Sequence, residues 1–276
     1  MKLFKNLNLF KHLLVGTFGI TTIFAFPENL KAGDGDVCPT SGSKTASELQ
    51  SLYADDTCMT TPDRFEVKIF ELGLCLSLPL SGSIGSYESD FTSCQKTMIS
   101  PDGTDTDLAG LSTTNLPSAS TRPANGTYPY AYILIENDIG IKGSYAVKNG
   151  NTYYSDGSSN GAFKISGPAE NHTESLVSFD ESFDPESGPI TMSSGGKVRA
   201  LLVTDANVRA SSGGVQRLFG IFETNSGSPI TIDDSATGLQ VELKVTNAGY
   251  TVNIDSNGVP EKFNSGPFKP VFTIVN

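Results

Sequence analysis

Apolar residues recur at every second position through much of this chain, and the breaks in that rhythm define its organisation. Phe65, Val67 and Ile69 alternate with Glu66 and Lys68, as in a strand with one buried face. The apolar phase then slips by one residue to Phe70, Leu72, Leu74, Leu76 and Leu78. Because side chains alternate between the two faces of a strand, such a slip predicts a bulge or a bend between sheets within this run. Pro79 is expected to end it. Residues 128–136 are almost continuously apolar, as in a strand covered on both faces, and Asn137-Asp138 predicts a tight turn after them. The next strand alternates through Ile139, Ile141, Gly143, Tyr145 and Val147. Asn149-Gly150 predicts a type I′ hairpin that returns through residues 152–154. Further strands are expected at 162–166, 197–204, 215–223, 230–232, 239–246, 250–254 and 268–275. Helical spacing occurs once, at residues 45–54, where Thr45 and Glu48 have capping-box spacing and Leu49, Leu52 and Tyr53 share a face.

About a dozen short strands separated by Gly, Ser, Asn, Asp and Pro turns predict an all-β fold. The expected architecture is a β-sandwich or jelly-roll-like double antiparallel sheet with one short N-terminal helix. An outer-membrane barrel fits less well, because residues 128–136 and 200–203 lack the strict apolar-out, polar-in alternation of a lipid-facing strand. Residues 101–126 are rich in Asp, Thr, Ser, Pro and Gly, so they are expected to form a long surface connection or a division within the domain.

The N-terminus changes this picture. Lys2, Lys5 and Lys11 precede an apolar run from Leu13 to Phe26, the pattern of a secretory signal peptide. That run is shorter than the ~20 residues needed to span a bilayer, so no transmembrane anchor is expected in the mature chain. Leu30-Lys31-Ala32 offers the cleavage site, giving residues 1–32 as the signal peptide and 33–276 as a β-rich extracellular domain. The formal charge is −11, and losing four lysines and one glutamate with residues 1–32 leaves −14. Acidity of this size opposes phosphate backbones and anionic lipid, so nucleic acid is not an expected partner.

Cys38, Cys58, Cys75 and Cys94 are an even number of cysteines in a chain marked for export, which predicts two disulfides. Three connectivities are open. Pairing Cys38 with Cys58 and Cys75 with Cys94 is favoured because each closes a short local loop. No C-x-x-C spacing occurs, and outside the signal peptide the only histidine is His172, so a zinc site lacks ligands.

Catalytic patterns are thin. Gly157-Ser158-Ser159-Asn160-Gly161 matches G-x-S-x-G without the strand-then-helix setting of a nucleophile elbow, and Ser41-Gly42-Ser43-Lys44 matches S-x-x-K without its companion motifs. His172 lies in a polar stretch and is expected in a solvated loop. No catalytic residue is assigned and no enzyme activity is expected. Asp102, Asp105 and Asp107, with Gly103, form the candidate calcium loop, and Asp34 and Asp36 a lesser one; no other cofactor is indicated. The chain has no tryptophan. Tyr128, Tyr130, Tyr132, Tyr153 and Tyr154 are the remaining sugar-stacking candidates, although alternate spacing places the first three in a core or interface.

These features point to a structural subunit of an extracellular or cell-surface assembly such as a fibre, sheath or surface layer. The alternative is a secreted module or adhesin that binds glycan or another surface. Self-association is the expected partnership. Its candidate contact is the last strand, where Val271, Phe272, Thr273, Ile274 and Val275 place apolar side chains on both faces.

Overall fold

Helix α1 (Ala46–Tyr53) forms where the capping box occurs. The Thr45 hydroxyl accepts from the Glu48 amide, and the Glu48 carboxylate accepts from the Thr45 amide at 2.8 Å. Two amides that a helix start would leave free are thereby satisfied. Leu49 and Tyr53 are buried on its inner face. The computed structural model describes residues 36–109, 121–158, 162–180, 182–191, 196–224 and 228–276, so the expected signal peptide, residues 1–32, lies outside the described residues.

After the helix come β1 (Asp56–Thr60) and β2 (Arg64–Cys75), then the two short strands β3 (Leu80–Ser81) and β4 (Glu88–Ser89), and β5 (Cys94–Asp107). β2 is the axis of the large sheet, with β5 antiparallel along one side. The phase slip becomes a bulge at Phe70, where the register shifts between Ile69 and Glu71 against both neighbouring strands. β2 ends at Cys75 rather than at Pro79, and Leu76 beyond it is exposed.

Residues 101–107, expected in a surface connection, instead lie within β5, with 104–107 paired opposite Glu66–Ile69. Residues 100–103 bulge out opposite Phe70, after which Thr104 and Thr106 alternate with Asp105 and Asp107 along the strand. Threonine is a strand former, and that alternation outweighed the turn-like composition.

The chain continues through β6 (Gly126–Tyr128), β7 (Tyr130–Glu136) and β8 (Asp138–Lys142). Asn137-Asp138 is not a turn. β7 and β8 run in one direction along β2, from Cys75 opposite Tyr130 to Arg64 opposite Lys142. Asn137 instead marks a change of outer neighbour: its amide donates to the Gln216 carbonyl and its own carbonyl accepts from the Leu176 amide.

β9 (Ser144–Ala146) and β10 (Thr152–Ser155) form the expected hairpin, with β11 (Phe163–Lys164) beyond them. Its turn is not type I′: of Asn149 and Gly150 only Asn149 has positive φ, and Val147 bonds to Asn151 across Lys148-Asn149-Gly150. The Lys148 amide is held by the Lys44 carbonyl, which constrains this loop from outside.

β12 (His172–Ser175), β13 (Glu186–Thr191), β14 (Lys197–Val203) and β15 (Arg217–Glu223) complete the large sheet. β15 borders β7, β12 borders β8, and β14 and β13 follow β15 outward. The remaining strands are β16 (Ile230–Ile232), β17 (Gly238–Lys244), β18 (Tyr250–Ile254), β19 (Pro260–Ser265) and β20 (Lys269–Val275). β1, β18 and β19 make a second, three-stranded sheet, whereas β17 and β20 make a two-stranded ribbon. The fold is thus mostly β, with one helix and a large curled antiparallel sheet accompanied by smaller ones.

Both faces of the large sheet are covered, which explains the unbroken apolar run in β7. Ile133 and Ile135 enter the main core beneath the second sheet with Phe65, Ile141, Tyr250 and Phe263. Tyr132 and Leu134 face the other way, into a core with Phe219 and Ile221 that Leu78, Leu80 and Phe91 close over. A third cluster gathers Leu74, Tyr128, Ile230 and Ile232 under the ribbon residues Leu239, Phe272 and Ile274. The disulfides are Cys38–Cys58 and Cys75–Cys94, as loop length favoured. Two disulfides place the folded chain in an oxidising compartment. No helix among the described residues is long and apolar enough to cross a membrane.

Candidate functional site

The last strand, expected to make the contact between subunits, is one half of the ribbon. β20 pairs in register with β17, from Val275 opposite Gly238 to Lys269 opposite Lys244. Phe272 and Ile274 therefore share a face with Leu239 and Val241, and this face lies half-buried on the third core cluster. Val271, Thr273 and Val275 point the other way, where Thr273 and Val275 are exposed. The proposed contact residues are thus divided between an inner and an outer face. Phe268, expected to open the last strand, precedes it and is buried in the main core.

The three aspartates lie on β5 rather than in a loop. Asp102 is exposed in the bulge, Asp105 stands opposite Lys68, and Asp107 accepts from the amides of Phe65 (2.9 Å) and Ala109 (3.0 Å). No group of three or more His, Cys, Asp or Glu side chains that could hold a metal occurs among the described residues. Of the tyrosines, Tyr128, Tyr132 and Tyr153 are buried and Tyr130 and Tyr154 half-buried, which leaves no exposed aromatic platform among them.

The serine motifs have structural partners. The Ser41 hydroxyl accepts from the Ala146 amide at 2.8 Å, and Lys44 pairs with Glu48 across one helical turn at 3.3 Å. Ser158 donates through its hydroxyl to Asp156 at 2.7 Å, holding that carboxyl below its usual range; Ser159, Asn160 and Gly161 lie outside the described residues.

His172 corrects the sequence reading. It is not in a solvated loop but on β12, opposite Ile141, with only 2% of its surface exposed. Neither ring nitrogen finds a hydrogen-bond partner among the described residues, and burial pushes the imidazole below its ordinary range, partly opposed by Asp156. Glu174, two residues on and on the same face, has its carboxyl raised by burial while it accepts from the Ser265 amide. The alternation of His172, Glu174 and Leu176 carried the strand signal, but polar residues at inward positions concealed it.

A pH dependence follows. An unfolded histidine titrates near ~6.5, above the depressed value of the buried ring. Below that pH the unfolded state holds the extra proton, so stability present at pH 7.5 is lost as pH falls, by at most ~1.4 kcal/mol per unit. Glu174 acts oppositely, losing stability as pH rises through its raised folded value. In urea titrations between pH 7.5 and 5, His172→Leu is expected to have a flatter profile than the parent chain. Parallel profiles would contradict this.

No family model, curated protein or solved structure matches this chain.

Proposed function

We propose that this protein is an exported, non-catalytic subunit of an extracellular assembly, and that its C-terminal ribbon makes the contact between chains. The charged start, the short apolar run and the two disulfides support an extracellular location. The ribbon carries the argument for assembly. β17 pairs with β20 and with no other strand among the described residues, so among them its outer edge carries no ladder. A two-stranded ribbon is marginal alone, and an open edge is a template on which another chain can add a strand. Its inner apolar face, Leu239, Val241, Leu243, Phe272 and Ile274, is only half-buried within one chain. Another subunit's strand beside β17 would extend the ladder and complete that burial.

Sedimentation of the exported protein tests this. The parent chain is expected to give a mass above that of one chain that rises with concentration. Gln240→Glu combined with Val275→Glu adds charge at exposed ribbon positions of an already acidic chain, and is expected to sediment as a single chain with an unchanged circular dichroism spectrum. A parent chain that stays single at every concentration, or a folded variant that assembles equally well, contradicts the proposal.

A further inference from the structure

Between the large sheet and the segment 265–268 lies a cavity of about 220 Å³. It is partly open rather than a sealed void, since half-buried residues such as Leu176, Phe179, Ile190 and Pro267 line it along with buried ones. Phe65, Phe222 and Phe268 form an aromatic corner on it, with ring centroids 5.9 Å apart for Phe65–Phe268 and 5.6 Å apart for Phe222–Phe268. Val198, Ala200 and Leu218 line the sheet side. Thr57, Ser187, Thr251 and Ser265 are the polar residues around it, and the Ser265 amide is already committed to Glu174.

Arg199 is the one charged residue on the lining, but its side chain belongs to the opposite face. Arg199 stands opposite Ile221, which packs in the second core, and its guanidinium lies 5.9 Å from the Tyr87 ring. No cation therefore faces the cavity to neutralise a carboxylate, and burying an unpaired charge is costly. A peptide strand fits no better, since the volume suits one ring rather than several residues and offers few partners for backbone amides.

We infer that this cavity is a binding site for a small, uncharged aromatic molecule the size of one alkyl-substituted benzene ring. An apolar cavity of ~150 Å³ lined by aliphatic and aromatic side chains stays dry and accepts benzene. The larger volume here leaves room for a short alkyl group. Phe65 and Phe222 hold Phe268 through edge-on and tilted ring contacts, so the aromatic wall is fixed in place, and an aromatic ligand gains from packing against such rings. This site is separate from the ribbon and stands independently of assembly.

The test titrates n-propylbenzene into the full exported protein, reading saturation-transfer NMR and the thermal midpoint, with 4-propylbenzoate as the charged counterpart. Saturable binding of n-propylbenzene is expected, with a midpoint that climbs as its concentration rises and binding of the benzoate at least about tenfold weaker. Ala200→Leu fills the cavity and is expected to keep the fold and lose binding; Val198→Ile, which adds one methylene group, carries the same test with less crowding and is expected to weaken it. Absence of saturable binding to the parent chain would overturn the inference. So would equal affinity for the benzoate, or undiminished binding by folded variants that fill the space.

Discussion

Replacing all four cysteines by alanine is expected to cost about 6 kcal/mol, roughly 3 from each disulfide. The bridges close loops with separations of 20 and 19 residues, short enough that each restrains the unfolded chain by this amount in a chain-entropy account. Cys38 and Cys58 lie in the main core, whereas Cys75 and Cys94 join the ends of β2 and β5 at the second, so the two losses are expected to add. A domain is stable by only ~5–15 kcal/mol, so the fully substituted chain is expected to lose from about 40% to all of its stability. Urea unfolding of each pairwise variant and of the fourfold variant measures this. A fourfold variant with the parent's midpoint would show that the bridges do not stabilise the fold.

Gly258→Ala is expected to be among the most damaging single changes, at about 3–4 kcal/mol. Gly258 has φ +78° in the turn after β18, where its amide donates to the Asp255 carbonyl and the Asp255 carboxylate accepts from Asn257 and Val259. A Cβ there would lie 1.9 Å from the Ala46 carbonyl oxygen and 2.6 Å from the Gln50 amide nitrogen, both in the backbone of α1. The helix would have to move off the second sheet, disturbing Leu49 and Tyr53 beneath it. Gly85→Ala separates the two contributions, because Gly85 has φ +86° but nothing within 4 Å of a Cβ. It is expected to cost only the conformational part, ~1–2 kcal/mol. Equal destabilisation by the two variants would show that the contact with α1 adds nothing.

Local chemistry made several elements legible in the sequence. The Thr45–Glu48 spacing is enough to cap a short helix, a one-residue slip of phase forces the bulge at Phe70, and loop length alone favours the disulfides. What escaped was set by neighbours distant in sequence. Residues 104–107 look like part of a connection until β2 pairs with them, and Asn137-Asp138 looks like a turn until Gln216 and Leu176 hold it straight. β12 was hidden because His172 and Glu174 occupy its inward positions. The aromatic corner joins Phe65, Phe222 and Phe268, which no local pattern could assemble. At the ribbon the alternation of the last strand was readable, but its pairing with β17 and the division of its side chains between two faces were not.

Electron microscopy of the purified, disulfide-bonded protein at high concentration tests the proposed assembly most directly. The account predicts filaments, sheets or closed oligomers of the parent chain, and dispersed single particles for Gln240→Glu with Val275→Glu. A parent chain seen only as dispersed single particles would contradict it.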